Sequence, residues 1–120
     1  TADKTIRATW RDGGKKPDVA LSPHIPAGYE LPKSGSIMIG EEGTLLIPHV
    51  DAPKLFPEEK FANYPVPELE PRNHYHEFVE AALSGGKLPT GSNFAFAGPM
   101  TETVLLGNVA NRFPGETLYW

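Results

Sequence analysis

The chain has 120 residues, enough for one domain or a piece of one, and 11 basic against 15 acidic residues give a net charge of −4. This mild acidity argues against a nucleic-acid-binding module, which normally has a concentrated basic face. Because there is no cysteine, disulfide frameworks, thiolate metal sites and cysteine nucleophiles are excluded. No apolar run approaches the roughly 18 residues that cross a bilayer. We therefore expect neither nucleic acid nor membrane as a partner.

The first predicted element is a strand over residues 5–12. Apolar and polar residues alternate there, with Ile6, Ala8 and Trp10 on one face, which is typical of a half-buried strand. The turn residues Asp12-Gly13-Gly14 end it.

A β-hairpin is predicted next, after an irregular, proline-rich segment over residues 15–34. Residues 36–39 and 44–48 are short apolar runs, and the four residues between them have glycine at both ends, a pattern typical of a hairpin. Pro48 is expected to end the second strand because it has no N–H for the ladder. Residues 49–71 contain five further prolines, which forbid a long helix there. Their aromatic content favours a packed structural loop, with a loop that touches a ligand or partner as the alternative.

Two helices are predicted in the last third of the chain. The first covers residues 73–83, where apolar residues recur at the spacing of one helical face. The second covers residues 99–113 with Pro99 near its first turn, and residues 94–97 are an earlier turn in the alternative interpretation. Both apolar faces are expected to be core, so that Phe78→Ala and Leu105→Ala should each cost roughly 2–5 kcal/mol.

The order of the elements predicts an α+β fold: a mainly antiparallel β-sheet with two helices packed on one face. Residues 116–120 are expected to add a last short strand, which ends with no closing turn behind it. Together with the missing initiator methionine, this leads us to expect that residues 1–120 are a single-domain fragment of a longer polypeptide.

The residues themselves predict no catalytic, cofactor-binding or metal-binding site. Neither G-x-G-x-x-G nor G-x-x-x-x-G-K-[ST] occurs, so no phosphate-binding loop is encoded. His74 and His76 are two positions apart at a helix start, where their side chains diverge by about 200° and do not naturally share a metal. Residues 84–87 match S-x-x-K, but at a helix end, where the short pattern is best explained by chance.

A resemblance to a known family goes further. Residues 72–87 read RNHYHEFVEAALSGGK, and residues 97–115 read AGPMTETVLLGNVANRFPG. WRDGG at residues 10–14 and GSIMIGEEGTL at residues 35–45 precede them in the same order. Together these segments resemble the C-terminal domain of the glucose-fructose oxidoreductase / inositol dehydrogenase (Gfo/Idh/MocA) family, in its bacterial branch.

The resemblance implies a two-domain oxidoreductase that acts on a sugar or polyol. In such a parent enzyme, NAD or NADP is bound by an N-terminal Rossmann domain, and the C-terminal domain supplies part of the pocket for a sugar-like substrate and a homo-oligomer interface through the sheet. The family's dinucleotide fingerprint and its catalytic E-K-P motif are absent here, so we expect the fragment to be inactive alone. The compartment stays open between bacterial cytoplasm and periplasm. The alternative from another class is a stand-alone, non-enzymatic sugar-binding or structural module.

Candidate substrate-cleft residues cluster where the first helix begins. Arg72, Asn73, His74 and His76 lie within five positions, next to free N–H groups and the positive end of a helix. They also follow the proline-rich loop, and binding residues are common where loops meet rigid elements. In the alternative interpretation Asn73 is only a helix cap and the histidines are only surface residues.

Overall fold

The computed structural model describes residues 5–120, which form two compact units. The sheet unit comprises residues 5–67 and contains a 3₁₀ turn (Val19–Leu21), strands β1 (Gly35–Ile39), β2 (Thr44–Pro48) and β3 (Lys54–Phe56), and the short helix α1 (Glu58–Phe61). The helical unit comprises residues 68–120 and contains α2 (His74–Leu83) and α3 (Phe94–Ala110).

The antiparallel sheet and the two long helices confirm the predicted α+β class. The packing of those helices on one face of the sheet stays a prediction, as does the organisation of the chain as a single-domain fragment.

The predicted hairpin is confirmed, in the order β1-β2-β3. Ile37 lies opposite Leu46, and the turn is closed by a bond from Gly40 N–H to Gly43 O of 2.9 Å. β3 pairs antiparallel with β2, so that Leu55 lies opposite Leu45. The sequence did not predict β3, because three residues between prolines are too few to show an alternation.

The core of the sheet unit is small and joins its loops to β2. Leu46 and Phe56 are almost fully buried, and Ile25 and Leu31 from the irregular segment complete the cluster. The Tyr29 ring meets Phe56 edge-on, with 5.1 Å between ring centroids. The prediction that residues 49–71 form a packed loop is met only in part. Phe56 is buried, but residues 54–56 and 58–61 are regular elements rather than loop, and residues 62–71 are exposed.

A buried polar contact fastens the same segment to the sheet. The hydroxyls of Ser22 and Thr44 are 2.8 Å apart, and Nδ1 of His24 lies 3.1 Å from Thr44 Oγ1. Both hydroxyl-bearing residues are buried, where an unpaired hydroxyl would be costly. The proline-rich residues 15–34 are thus held by hydrogen bonds as well as by apolar packing.

Two predicted strands are wrong. Residues 5–12 and 116–120 have no regular secondary structure, and they are exposed throughout. Ile6 is 90% exposed and Trp10 is 70% exposed. Alternation identifies a chain that could bury one face, but a strand forms only beside a partner strand, and the described residues give these segments none.

Helix α2 matches its prediction at both ends. Asn73 is the N-cap, and the helix ends at Leu83 before Ser84. Gly86 N–H bonds to Ala81 O at 2.8 Å and Gly85 N–H to Ala82 O at 3.1 Å. This pair of bonds is the Schellman ending, which needs a left-handed residue at the first position past the cap; Gly85 supplies it with φ of 67°.

Helix α3 ends earlier than predicted, and it begins at Phe94, as in the alternative interpretation that placed an earlier turn over residues 94–97. Its N-cap is Asn93, whose side-chain oxygen accepts from Phe96 N–H at 3.1 Å. Pro99 therefore lies inside the helix rather than in its first turn. The proline removes one helical bond, but the start at Asn93 is fixed by its own cap and extends the helix upstream.

The helical unit by itself does not bury the apolar faces of α2 and α3, which were predicted to be core. Phe78 is 70% exposed and Leu105 50% exposed, and the buried residue of the two helices is Ala81. Helical periodicity shows that a face is apolar, but it does not show what covers the face.

None of the helices within residues 5–120 has the length and apolar character needed to cross a bilayer.

Candidate functional site

The structure brings the four candidate residues together at the start of α2. Asn73 accepts two bonds with Oδ1, from Tyr75 N–H at 3.1 Å and from His76 N–H at 3.2 Å. Its side chain is thereby used by the helix, as the alternative interpretation expected. Asn73 fixes the backbone from which the neighbouring candidates extend.

Arg72 is engaged by a carboxylate one turn into the helix. Its Nη1 lies 3.5 Å from Glu77 Oε1, and Glu77 Oε2 accepts from Gly91 N–H at 3.2 Å. The guanidinium side chain is 73% exposed whereas that of Glu77 is 23% exposed. A largely exposed ion pair of this kind is worth at most about 1 kcal/mol. It uses Nη1 of the guanidinium, so the other N–H donors of Arg72 remain for a ligand.

The two histidines present their rings to solvent. His74 is stacked against Tyr75, with 4.0 Å between ring centroids and 37° between planes. His76 uses its backbone N–H for the cap, and its side chain is exposed. Their imidazoles can donate or accept hydrogen bonds. Within residues 5–120 no group of three or more His, Asp or Glu residues is placed to hold a metal ion.

These residues form a polar surface rather than an enclosed pocket. A guanidinium and two imidazoles on one exposed helix start can bind hydroxyl or carboxylate groups, but nothing there excludes water. The chemistry that this arrangement supports is binding and orientation of a polar ligand. Its assignment as a substrate site stays a prediction.

An open groove along α3 was not predicted. It has a volume of about 670 Å³ and is lined mainly by apolar residues, among them Phe94, Ala97, Leu105, Val109 and Trp120. The sequence signal for it is weak: Ala97 and Gly98 are small, but so are Ala95, Gly107 and Ala110 of the same helix. The Ser22–Thr44–His24 contact was also missed, because nothing in the sequence links residues that far apart.

Comparisons with protein-family models, with curated proteins and with solved structures found no match to this chain. The family resemblance therefore rests on the sequence segments alone.

Proposed function

We propose that this chain is part of the C-terminal substrate and oligomerisation domain of an NAD(P)-dependent oxidoreductase of the Gfo/Idh/MocA type, acting on a sugar or polyol. The observation that carries the proposal is the pair of segments over residues 72–87 and 97–115. The α+β class of the structure is the class expected of that domain.

The described residues do not fit a nicotinamide dinucleotide. Such a site needs a glycine-rich turn that leads from a strand into a helix N-terminus. Gly85 and Gly86 lie instead at the C-terminal end of α2, where the helix dipole is negative. Gly13 and Gly14 follow a segment that is not a strand. We therefore assign NAD or NADP to another part of the parent enzyme and no redox step to residues 5–120.

The part that this chain would play is to hold the substrate. Arg72, His74 and His76 would bind the hydroxyl groups of a sugar or polyol, and Asn73 would keep that turn of backbone in place through its two cap bonds. Three groups with several donors and acceptors suit a ligand with several hydroxyls.

The uncovered apolar faces of the helical unit fit a domain that works within a larger assembly. Phe78, Val79 and Leu83 of α2 are each more than half exposed, as are Phe94 and Met100 of α3. Contiguous exposed apolar surface usually marks a site of contact with other polypeptide. In the proposed enzyme, the rest of the polypeptide and the homo-oligomer partner are available to cover it.

The first test is the complete reading frame that encodes residues 1–120. We expect a G-x-G-x-x-G strand–helix unit upstream, and reduction of NAD⁺ or NADP⁺ when the whole protein is given inositol, glucose or related polyols. The measurement is the absorbance of the reduced nicotinamide. A reading frame with no dinucleotide-binding unit would contradict the proposal. If the 120-residue chain bound these sugars without nucleotide, in an NMR titration, the stand-alone module would be favoured instead.

The second test addresses the site in that complete enzyme. His74→Ala and His76→Ala should each lower kcat/KM at least tenfold, about 1.4 kcal/mol of transition-state binding, with nearly unchanged melting temperature. Lys87→Ala, an exposed change past the other end of α2, is the matched control and should leave kcat/KM unaltered. Two wild-type-like histidine variants would remove this surface from the active site and leave the family proposal standing.

A further inference from the structure

The two outer strands of the sheet differ in how they are protected. β3 contains Lys54, lies between Pro53 and Pro57, and packs against α1. Charge, proline and a covering helix are the usual means by which proteins block an outer strand from pairing with another chain. β1 has none of them: its sequence is Gly-Ser-Ile-Met-Ile, and Met38 and Ile39 are each more than half exposed.

The hydrogen-bond register shows which backbone groups of β1 face outward. Ser34 and Gly40 bond across to the β2 side, through His49 N–H to Ser34 O and Gly40 N–H to Gly43 O. Opposed residues in an antiparallel pair alternate between bonded and non-bonded. The odd-numbered residues of β1, which are Gly35, Ile37 and Ile39, therefore direct their N–H and C=O groups away from β2. Within residues 5–67 no other strand pairs with these three residues.

This outward set is symmetric about its middle residue. If a second β1 runs antiparallel with Ile37 opposite Ile37 of the partner subunit, Gly35 meets Ile39 of the partner subunit. Ile39 in turn meets Gly35 of the partner subunit. Every outward donor then faces an outward acceptor, for about six main-chain hydrogen bonds. Main-chain bonds of this kind are available to any extended strand without proline, so the preference for a second copy comes from the charged residues beside β1.

The charges beside β1 have the same symmetry. Lys33 precedes the strand and Glu41 follows it, each four positions from Ile37, and both are exposed. Antiparallel pairing of two copies brings Lys33 toward Glu41 of the partner subunit at both ends of the joint. Opposite charges in that position favour the pairing and fix its register.

We propose that β1 is a self-association edge, through which two copies of this chain join their sheets into one continuous six-stranded sheet. The joint runs along the strand edge, and it rests on the outward backbone groups of β1 together with the flanking charges of Lys33 and Glu41. It does not depend on the oxidoreductase assignment, and either proposal can fail without the other.

The first experiment measures mass against concentration by sedimentation equilibrium of the 120-residue chain. We expect a reversible monomer–dimer equilibrium that Met38→Lys weakens at least tenfold, because a charge on the edge strand opposes strand addition. Val50→Lys is the matched control, since Val50 is 87% exposed in the bend after β2. It should leave the equilibrium within about twofold of the parent. A monomer at all concentrations, or equal effects of both variants, would overturn the proposal.

A charge exchange tests the register. Lys33→Glu should weaken the dimer about tenfold by setting like charges together at both ends. The double variant Lys33→Glu/Glu41→Lys should restore it. Failure of the double variant to restore association would refute the antiparallel register centred on Ile37.

Amide hydrogen exchange then locates the joint. The N–H groups of Ile37 and Ile39 should become protected as concentration rises, whereas that of Val50 should not. Protection of Ile37 and Ile39 already present in the dilute monomer would mean that the chain covers its own edge, and this would also overturn the proposal.

Discussion

The sheet unit and the helical unit differ in how far each covers its own apolar side chains. In the sheet unit, Leu46 and Phe56 are 1% and 0% exposed and pack with side chains from the irregular segment. In the helical unit, α2 and α3 have good caps and long apolar faces, yet Ala81 is the buried residue of the two helices.

The two units are thus held by different kinds of interaction. The helical unit is defined by local bonds: caps, helical hydrogen bonds and a Schellman ending. The sheet unit is defined by contacts between distant residues, such as Ser22 with Thr44. Local bonds alone give marginal stability in water, since most helical stability in proteins comes from packing. We therefore expect the sheet unit to carry most of the free energy of unfolding of this chain.

The largest difference in the free energy of unfolding should come from replacing one phenylalanine of each unit by alanine. Phe56→Ala removes a fully buried ring and should lower the free energy of unfolding by about 3–5 kcal/mol. Phe78→Ala, at a 70% exposed position, should cost under about 1 kcal/mol, which revises the larger value that periodicity alone predicts. Urea titrations of both variants, followed by circular dichroism, decide the comparison. Equal losses would show that α2 is covered after all.

Replacing one glycine in each unit by alanine should change the stability of the two units in opposite directions. A Cβ on Gly43 would lie 2.6 Å from Phe61 Cε2 and 2.8 Å from Phe56 O, so Gly43→Ala should destabilise by about 1–3 kcal/mol. A Cβ on Gly107 meets nothing within 4 Å and lies inside α3, so Gly107→Ala should stabilise that helix by roughly 0.5–1 kcal/mol. Amide exchange rates in β2 and α3 report each unit separately. A Gly43→Ala protein as stable as the parent would contradict the tight contact between the hairpin turn and α1.

A third pair of variants, both at Asn73, tests the description of the α2 start and should give a smaller effect than Phe56→Ala or Gly43→Ala. Asn73→Ala should cost about 1 kcal/mol, because two N–H groups lose their acceptor. Asn73→Asp keeps an acceptor at the positive end of the helix and should be neutral or slightly stabilising. Helicity and amide exchange of Tyr75 and His76 measure both. If Asn73→Ala leaves their exchange unchanged, the cap is not what orders this turn.

Local signals in the sequence predicted much of this structure. Glycine at both ends of a four-residue link predicted the hairpin, and Asn73 with Gly85-Gly86 predicted both ends of α2. The failures concern pairing and covering. Residues 5–12 alternate as a strand does, but whether another strand lies beside them is a non-local property. The start of α3 at Pro99 was wrong and only the alternative with a turn over residues 94–97 was right, because Pro99 is a stronger local signal than the cap at Asn93.

The candidate site also has features that the sequence predicts locally and contacts that it does not predict. The position of Arg72, Asn73, His74 and His76 at a helix start was predictable, since caps and periodicity are local. The contact of Glu77 with both Arg72 and Gly91 was not, because it depends on how the segment after α2 returns.

That return has a consequence for the order of folding. The bond from Gly91 N–H to Glu77 closes a loop of fourteen positions, whereas the Ser22–Thr44 contact closes one of 22 and the Lys54–Tyr29 contact one of 25. Chains whose contacts are near in sequence reach them sooner, because less loop entropy is lost before a contact forms. The turn from α2 toward α3 should thus assemble early and reopen often, and the slower β2 core should then determine how long the folded chain persists.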